Sequence, residues 1–251
     1  MGKLDCKIAI VTGGGSGIGR ASAELLAKEG AKVAVVDKYL HKAQETAALI
    51  GDTDRALAIQ ADVVNETEVS EMVAQVVREW GQVDLLHNHA GILHPHDASI
   101  LEIDEKTIDE TLGINVKGQM LVAKHTARAM SKSGGGAIVG TASDLSFIAL
   151  AGVAGYVTSK AAIAGLTRAM AVDLAPHNIR VNAVCPGFIY TGMTAGLAGN
   201  AEVMESMRES YLIKRLGQPS DVASAVLYLL LPDAGFVTGS LLVVDGGHII
   251  Q

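Results

Sequence analysis

Tyr156 and Lys160 stand four residues apart in Tyr156-Val157-Thr158-Ser159-Lys160, so on a helix both lie on one face. A free tyrosine titrates near ~10 and is a poor base at neutral pH. A neighbouring ammonium favours the phenolate. Such a pair can take a proton from an alcohol or return one to an alkoxide. By itself the spacing also describes an ordinary surface pair, so its meaning depends on its surroundings.

Residues Thr12–Gly19 read Thr-Gly-Gly-Gly-Ser-Gly-Ile-Gly, directly after an apolar run and directly before a helical pattern. A strand, a glycine turn and a helix in that order aim backbone N–H groups and a helix N-terminus at a pyrophosphate. Gly13, Gly15, Ser16, Gly17, Ile18 and Gly19 are the candidates for that contact. No Gly-Lys-Ser/Thr follows, which excludes a P-loop, and the strict GxGxxG spacing is also absent. A tight turn that only packs helix on strand is the alternative. Asp37 ends the next apolar run, eighteen residues after Gly19. A carboxylate there accepts both hydrogen bonds of an adenosine ribose diol and repels a 2′-phosphate, which favours NAD over NADP. Lys38, a cation beside Asp37, argues the other way.

His87, His89, His94 and His96 fall within ten residues. Imidazole clusters can hold zinc, but His87 and His89 flank a strand end and share one face by alternation. The other two flank Pro95 in the following loop. Loops after strand C-termini line the site in open α/β sheets. Contact of His94 or His96 with a substrate, or plain packing, therefore competes with metal, and no metal site is assigned.

These residues need a scaffold, and the hydrophobic pattern supplies one. Apolar runs at Ile8–Thr12, Val33–Asp37, Ala56–Gln60, Val83–Asn88, Ala137–Thr141, Ile179–Val184 and Leu241–Asp245 predict strands. Several are rich in Val and Ile without alternation, as in strands covered on both faces. Helical patterns lie between them at Gly17–Glu29, Lys42–Ile50, Glu66–Trp80, Asp104–Met130, Gly155–Leu174 and Ser220–Leu230. Pro219-Ser220-Asp221 predicts a helix start. Alternating β and α elements predict right-handed crossovers and one α/β, doubly wound, mostly parallel sheet of seven strands flanked by helices. No linker interrupts residues 1–251, so one domain is expected. Gly134–Gly136 predicts a turn into a strand, and Gly192–Tyr211, with Met193, Met204 and Met207, a mobile helical insertion.

The chain has 251 residues, 49% hydrophobic and 19% charged. That length buries a core without disulfides or metal. Twenty-eight glycines against five prolines, without a repeat period, point to places where backbone must turn or approach something closely. A net charge of −7 and 4% aromatic residues argue against nucleic-acid binding. Cys6 and Cys185 make no metal or redox spacing, and no signal peptide is evident, so a cytoplasmic location is expected. No apolar run approaches the ~18 residues of a membrane span.

An ordered set of landmarks then resembles the short-chain dehydrogenase/reductase family over essentially the whole chain. They are Thr12–Gly19, Asp37, Asp62-Val63, Asn88-His89-Ala90-Gly91, Asn115, Ser143, Tyr156 with Lys160, Pro186-Gly187 with Ile189 and Thr191, and Asp245-Gly246-Gly247. Ser143 lies thirteen residues before Tyr156 and Asn115 forty-one before it, as the family pattern requires. The resemblance implies a Rossmann fold and an NAD(H)-dependent oxidoreductase that interconverts a secondary alcohol and a ketone. Tyr156 resembles the acid/base, Lys160 the residue that holds the nicotinamide ribose and lowers the tyrosine pKa, and Ser143 the hydroxyl that polarises the carbonyl. Asn115 resembles the residue that bends its helix and supports a proton relay. Asp62 and Val63 resemble the adenine contacts, and Asn88, Ala90 and Gly91 the floor under the adenosine ribose. Pro186, Gly187, Ile189 and Thr191 resemble the nicotinamide clamp.

His89 stands where the family usually has Asn, and Ser146 where a glycine is common. The resemblance also implies a substrate lid at about 190–212 and a homotetramer. The tetramer would pair the helices of Asn115 and Tyr156 and an edge near Asp245–Gln251. Ser143, Leu145, His94 and Phe188 are the expected substrate contacts, with Asp144, His96 and Tyr190 nearby. A small-molecule alcohol or ketone is the expected partner, with neither nucleic acid nor membrane. An epimerase or dehydratase of the same family and a non-catalytic NAD-binding sensor or scaffold are the rival readings. The first usually carries a longer C-terminal domain, and the second tends to lose Tyr or Lys.

Overall fold

Seven strands form one sheet in the computed structural model, which describes residues 2–52, 54–194 and 201–251. The strands are β1 (Ile8–Thr12), β2 (Lys32–Asp37), β3 (Ala56–Gln60), β4 (Leu85–Asn88), β5 (Gly136–Thr141), β6 (Ile179–Pro186) and β7 (Leu241–Val244). Their order is β3-β2-β1-β4-β5-β6-β7. Every neighbouring pair is parallel, so the expected sheet is present and wholly parallel.

Alternation along the strands divides the core between two faces. Ala9, Val11, Val33 and Val35 pack with Leu26 of α1 (Gly17–Lys28), Ala43 of α2 (Leu40–Ile50) and Leu229 of the later helix Pro219–Leu230. Ile8, Ile10, Ala34 and Val36 pack on the opposite face with Met72 and Val76 of α3 (Glu66–Trp80) and with Val122 and Met130. Ile10, Leu26, Met72 and Leu229 are among the largest fully buried side chains. Truncating such a residue to Ala costs about 2–5 kcal/mol. The chain leaves β1 towards β2 and β3, then returns to place β4 on the other side of β1. This reversal opens a crevice at the C-terminal ends of β1 and β4, where ligands bind in such sheets.

The single helix expected over Asp104–Met130 is three pieces. They are α4 (Glu105–Leu112), a π-helical stretch at Gly113–Gly118 and α5 (Gln119–Met130). The cause is Asn115, whose side chain bonds Ile92 and Ser159 rather than facing solvent. Such bulges commonly occur at functional sites. The other α-helices among the described residues are α6 (Ala154–Leu174), α7 (Ala201–Glu209) and α8 (Pro219–Leu230). Pro219 opens α8 in the first turn, as expected. Gly134 and Gly135, at φ of 98° and 111°, make the turn into β5. Part of the expected insertion Gly192–Tyr211 lies outside the described residues.

Candidate active site

The glycine turn joins β1 to α1. Gly13 has φ of 65°, and a Cβ there would approach the Ala90 backbone to 3.1 Å. A Cβ on Gly19 would run into the Gly13 carbonyl. Ser16, the residue before α1, makes no side-chain cap, so the first N–H groups of the helix lack that partner. Arg20 braces the turn from outside, donating to the Gly15 carbonyl at 2.6 Å and to Thr46 Oγ1 at 3.0 Å. Asp37 closes this end. Its Oδ2 accepts the Gly15 N–H at 3.1 Å and its Oδ1 the Tyr39 N–H at 3.0 Å. Lys38 is paired with Asp62 Oδ2 at 2.8 Å, which raises the Lys38 pKa. The cation that argued against NAD thus already has a carboxylate partner.

The end of β4 is tied to the end of β1. Thr12 Oγ1 accepts the N–H groups of His89 and Ala90 at 3.0 and 3.2 Å and donates to Asn88 Oδ1 at 3.3 Å. Asn88 Nδ2 donates to the Gln119 carbonyl at 2.8 Å. Asn88 is therefore consumed by the scaffold, and Ala90 and Gly91 present the wall. His87 and His89 both reach Thr141 Oγ1, each at 3.1 Å. Burial lowers the His87 pKa well below the usual value, and burial with the Lys160 charge takes His89 to about 3. Both are neutral at pH 7.

Asn115 accepts the Ile92 N–H at 2.7 Å and donates to the Ile92 carbonyl at 2.8 Å and to Ser159 Oγ at 3.0 Å. It locks the loop after β4 to α6, the helix of Tyr156 and Lys160. The start of α6 is held by Asp97, whose two oxygens accept the N–H groups of Gly155 and Tyr156 at 3.0 and 2.7 Å. Sequence reasoning missed Asp97. Its partners lie more than fifty residues ahead, so no local capping pattern marks it. Lys160 Nζ donates to the Thr141 carbonyl at 2.9 Å and sits 5.4 Å from the centre of the Tyr156 ring.

The charge balance differs from the sequence expectation. Burial first, then the Asp144 charge, pushes the Tyr156 phenol up to about 12, opposed by a hydrogen bond with Ser143. Burial also lowers Lys160 to about 8. The ammonium beside the phenol does not outweigh desolvation in the chain alone. Ser143 Oγ donates to Asp144 Oδ1 at 2.8 Å.

These groups surround a cavity of about 560 Å³. Of the expected cofactor contacts, Gly13, Ser16, Gly17, Ile18, Asp37, Ala90, Gly91, Tyr156, Lys160, Pro186, Gly187, Ile189 and Thr191 line it. Gly15, Gly19, Asp62, Val63 and Asn88, and the expected catalytic residue Asn115, are not among its lining residues. Val63 is buried against the π-helical stretch. At the other end Ser143, Leu145 and Phe188 line the cavity with Leu93, Leu150, Val153, Met193 and Met207. Met204 packs instead with Tyr211 and Leu216.

His94 is not brought to this cavity. Its Nε2 pairs with Glu110 at 2.9 Å, and its Nδ1 accepts the His96 N–H. His96 and Tyr190 are likewise outside the lining. Among the described residues no three His, Cys, Asp or Glu are grouped to hold a metal ion.

A glycine cradle that Cβ atoms would fill, an uncapped helix start and a carboxylate at the next strand end fit a nicotinamide dinucleotide. Comparison with known proteins carries this further. A family model described as enoyl-(acyl carrier protein) reductase, adh_short_C2, matches residues 13–248. The structure superimposes on that of a short-chain type dehydrogenase/reductase from Mycobacterium marinum with a TM-score of 0.93, at 36% identity over 99% of this chain and 97% of that one. The chain belongs to the short-chain dehydrogenase/reductase family. It is an oxidoreductase of that type, and members bind a nicotinamide nucleotide. It is similar to an NAD-dependent glycerol dehydrogenase of Listeria innocua, 37% identical over 98% of this chain and 94% of that protein. It is also similar to a cis-4-hydroxycyclohexanecarboxylate dehydrogenase of Sinomonas cyclohexanicum, 40% identical over 96% of each. No helix among the described residues is long and apolar enough to cross a membrane.

Proposed function

We propose that this protein is an NAD(H)-dependent oxidoreductase interconverting a secondary alcohol and a ketone. The carrying observation is one cavity with Asp37 and the glycine turn at one end and Ser143, Tyr156 and Lys160 at the other. The glycine turn would take the pyrophosphate, Asp37 the adenosine ribose diol, and Lys160 the second ribose. Pro186, Gly187, Ile189 and Thr191 would face the nicotinamide, which when bound supplies the hydride donor or acceptor.

The substrate oxygen sits between Ser143 and Tyr156. Tyr156 takes its proton in oxidation and returns it in reduction, while Ser143 holds the charge that develops on oxygen. Asn115, bonded to Ile92 and Ser159, keeps α6 and the loop after β4 in register behind them. Leu145, Leu150, Val153, Phe188, Met193 and Met207 favour an apolar carbon skeleton. Lys160 is the one Lys or Arg among the described lining residues, while Asp37 and Asp144 are acidic. That balance favours a neutral alcohol over an acid, a phosphate ester or a carrier-bound thioester. The glycerol and cis-4-hydroxycyclohexanecarboxylate dehydrogenases among the relatives agree with alcohol oxidation, although the substrate named for the second also carries a carboxylate. Residues of the 190–212 segment that line the cavity act as a lid over the substrate.

The test is nicotinamide reduction across a panel of neutral secondary alcohols, with NAD+ and NADP+ in parallel. NAD+-dependent oxidation supports the reading. Conversion without net change in NADH would favour an epimerase or dehydratase. Tight NADH binding without any turnover would favour a sensor. A preference for NADP+ would overturn the role given to Asp37.

A further inference from the structure

Beyond the residues already given catalytic roles, a carboxylate–imidazole pair closes the substrate end of the cavity. Asp144 follows Ser143 directly, and His248 lies 104 residues later in the C-terminal turn. His248 Nδ1 bonds Asp144 Oδ2 at 2.8 Å. Asp144 Oδ1 accepts the Ser143 hydroxyl and the Leu145 N–H, each at 2.8 Å. The Asp144 side chain is only 7% exposed, so each of these bonds acts with little screening by water.

The imidazole is itself fixed. Its ring stacks on Tyr211 with centres 4.9 Å apart and 29° between planes. Tyr211 is in turn pinned, its hydroxyl accepting the Phe188 N–H at 2.8 Å. Behind the ring, both Asp245 oxygens bond the backbone of the C-terminal turn, accepting from Gly247 and Ile249 at 2.9 Å. A histidine needed only to tie down the chain end would not have to lie against the neighbour of Ser143.

A hydroxyl has one proton to give. Here the proton goes to Asp144; a bond from Ser143 to the Tyr156 phenolate, which lowers that phenol's pKa, or to a charged substrate oxygen requires the hydroxyl to turn away from Asp144. Asp144 thus decides which way Ser143 points and adds a negative charge beside Tyr156. Whatever holds Asp144 and shares its charge acts on both catalytic groups without touching the substrate oxygen.

We propose that His248 is a positioning residue for the reaction centre: through Asp144 it fixes the direction of the Ser143 hydroxyl and shares the negative charge that faces Tyr156. The proposal rests on the reading of Ser143 and Tyr156 as the reacting pair. The other groups around the phenol are accounted for. Lys160 approaches from α6 itself, Asp97 holds the Tyr156 backbone N–H, and neutral His89 faces Lys160 from the end of β4. Cys185 at the end of β6 is held as a neutral thiol, its pKa pushed up to about 12 by burial and then by Asp144. Asp144 is the one acidic side chain whose charge acts on the phenol among the described residues, and His248 is the imidazole bonded to it.

The test needs neither substrate nor cofactor. In protein labelled with [13Cζ]tyrosine, the Tyr156 signal, assigned by its loss in Y156F, reports phenol ionisation. His248→Phe keeps a ring against Tyr211 but removes the bond to Asp144. It should move the Tyr156 midpoint upward by about one pH unit, since Asp144 then carries its charge unshared. His248→Asn, with an amide donor at the reach of Nδ1, should recover most of the shift. Asp144→Asn should lower the midpoint, and adding His248→Phe to it should change nothing further. Should alkali unfold a variant first, the Tyr156 Cζ position at neutral pH, which follows the bond to Ser143, carries the same comparison. An equal shift with and without Asp144, or no shift in either background, would overturn the proposal. Either result leaves the alcohol-dehydrogenase reading standing, because no turnover is measured. Conversely, loss of that reading in the alcohol panel leaves the titration result intact.

Discussion

At the scale of single residues, the site is a set of buried groups whose charges are decided by neighbours. Asp37 illustrates a role exerted by one carboxylate. It bonds the glycine turn and ends the strand that faces the cavity. Asp37→Ala should cut the preference for NAD+ over NADP+ at least about tenfold, because a 2′-phosphate no longer meets a carboxylate. The ratio of kcat/KM values for the two cofactors checks it. His89 makes a second prediction, on stability. Its folded pKa of about 3 lies below the ordinary 6.5, so the unfolded chain binds the extra proton first. Stability is full above about pH 6.5 and falls as pH drops from there towards 3. His89→Asn should remove roughly 1–2 kcal/mol of the loss between pH 7 and 5, read by urea unfolding at each pH.

Which residues could be read from sequence follows from the range of their bonds. Tyr156 and Lys160 announce themselves four apart on one helix, and the glycine turn is contiguous. The pairing of His87 with His89 on one face follows from strand alternation and holds, with Thr141 between them. His94 lies outside the cavity lining, its ring paired with Glu110, sixteen residues on in α4. Asp97 and His248 stayed invisible because each acts on a residue far along the chain, where no spacing rule reaches.

At the scale of elements, the strand ends and helix starts do the positioning. The strands were legible because burial on both faces demands unbroken Val and Ile runs. Their edges were not: β4 begins at Leu85 rather than Val83, since Asp84 turns to bond Lys7 and the Ile8 N–H. The break in the Asp104–Met130 helix has the same kind of cause, one side chain bonding backward across the fold. The start of α6 depends on a cap supplied from outside the helix. Asp97→Ala should therefore cost about 1–2 kcal/mol in denaturant unfolding. It should also lower kcat more than it raises KM, because the turn it releases carries Tyr156. Equal stability and unchanged kcat would show that α6 is held without it.

At the scale of the whole molecule, the sheet reversal between β1 and β4 puts the two ends of the cavity on one crevice. The apolar surface left outside it is substantial. Val172 on α6 and Ile250 at the chain end are each 75% exposed, and Met120 on α5 is 50% exposed. They lie on the same helices and edge expected to pair copies, where a partner would cover them. Light scattering should give the mass of four chains of 26.0 kDa. A monomer at working concentration would refute the assembly.

In the proposed reaction Tyr156 is the group that moves the proton between substrate and solvent. Steady-state NADH formation from an alcohol that the unmutated protein oxidises, measured for Tyr156→Phe beside NADH binding by fluorescence, tests it most directly. Turnover should fall by about a thousandfold or more while the NADH Kd stays within about threefold. Retained turnover in Tyr156→Phe would contradict it.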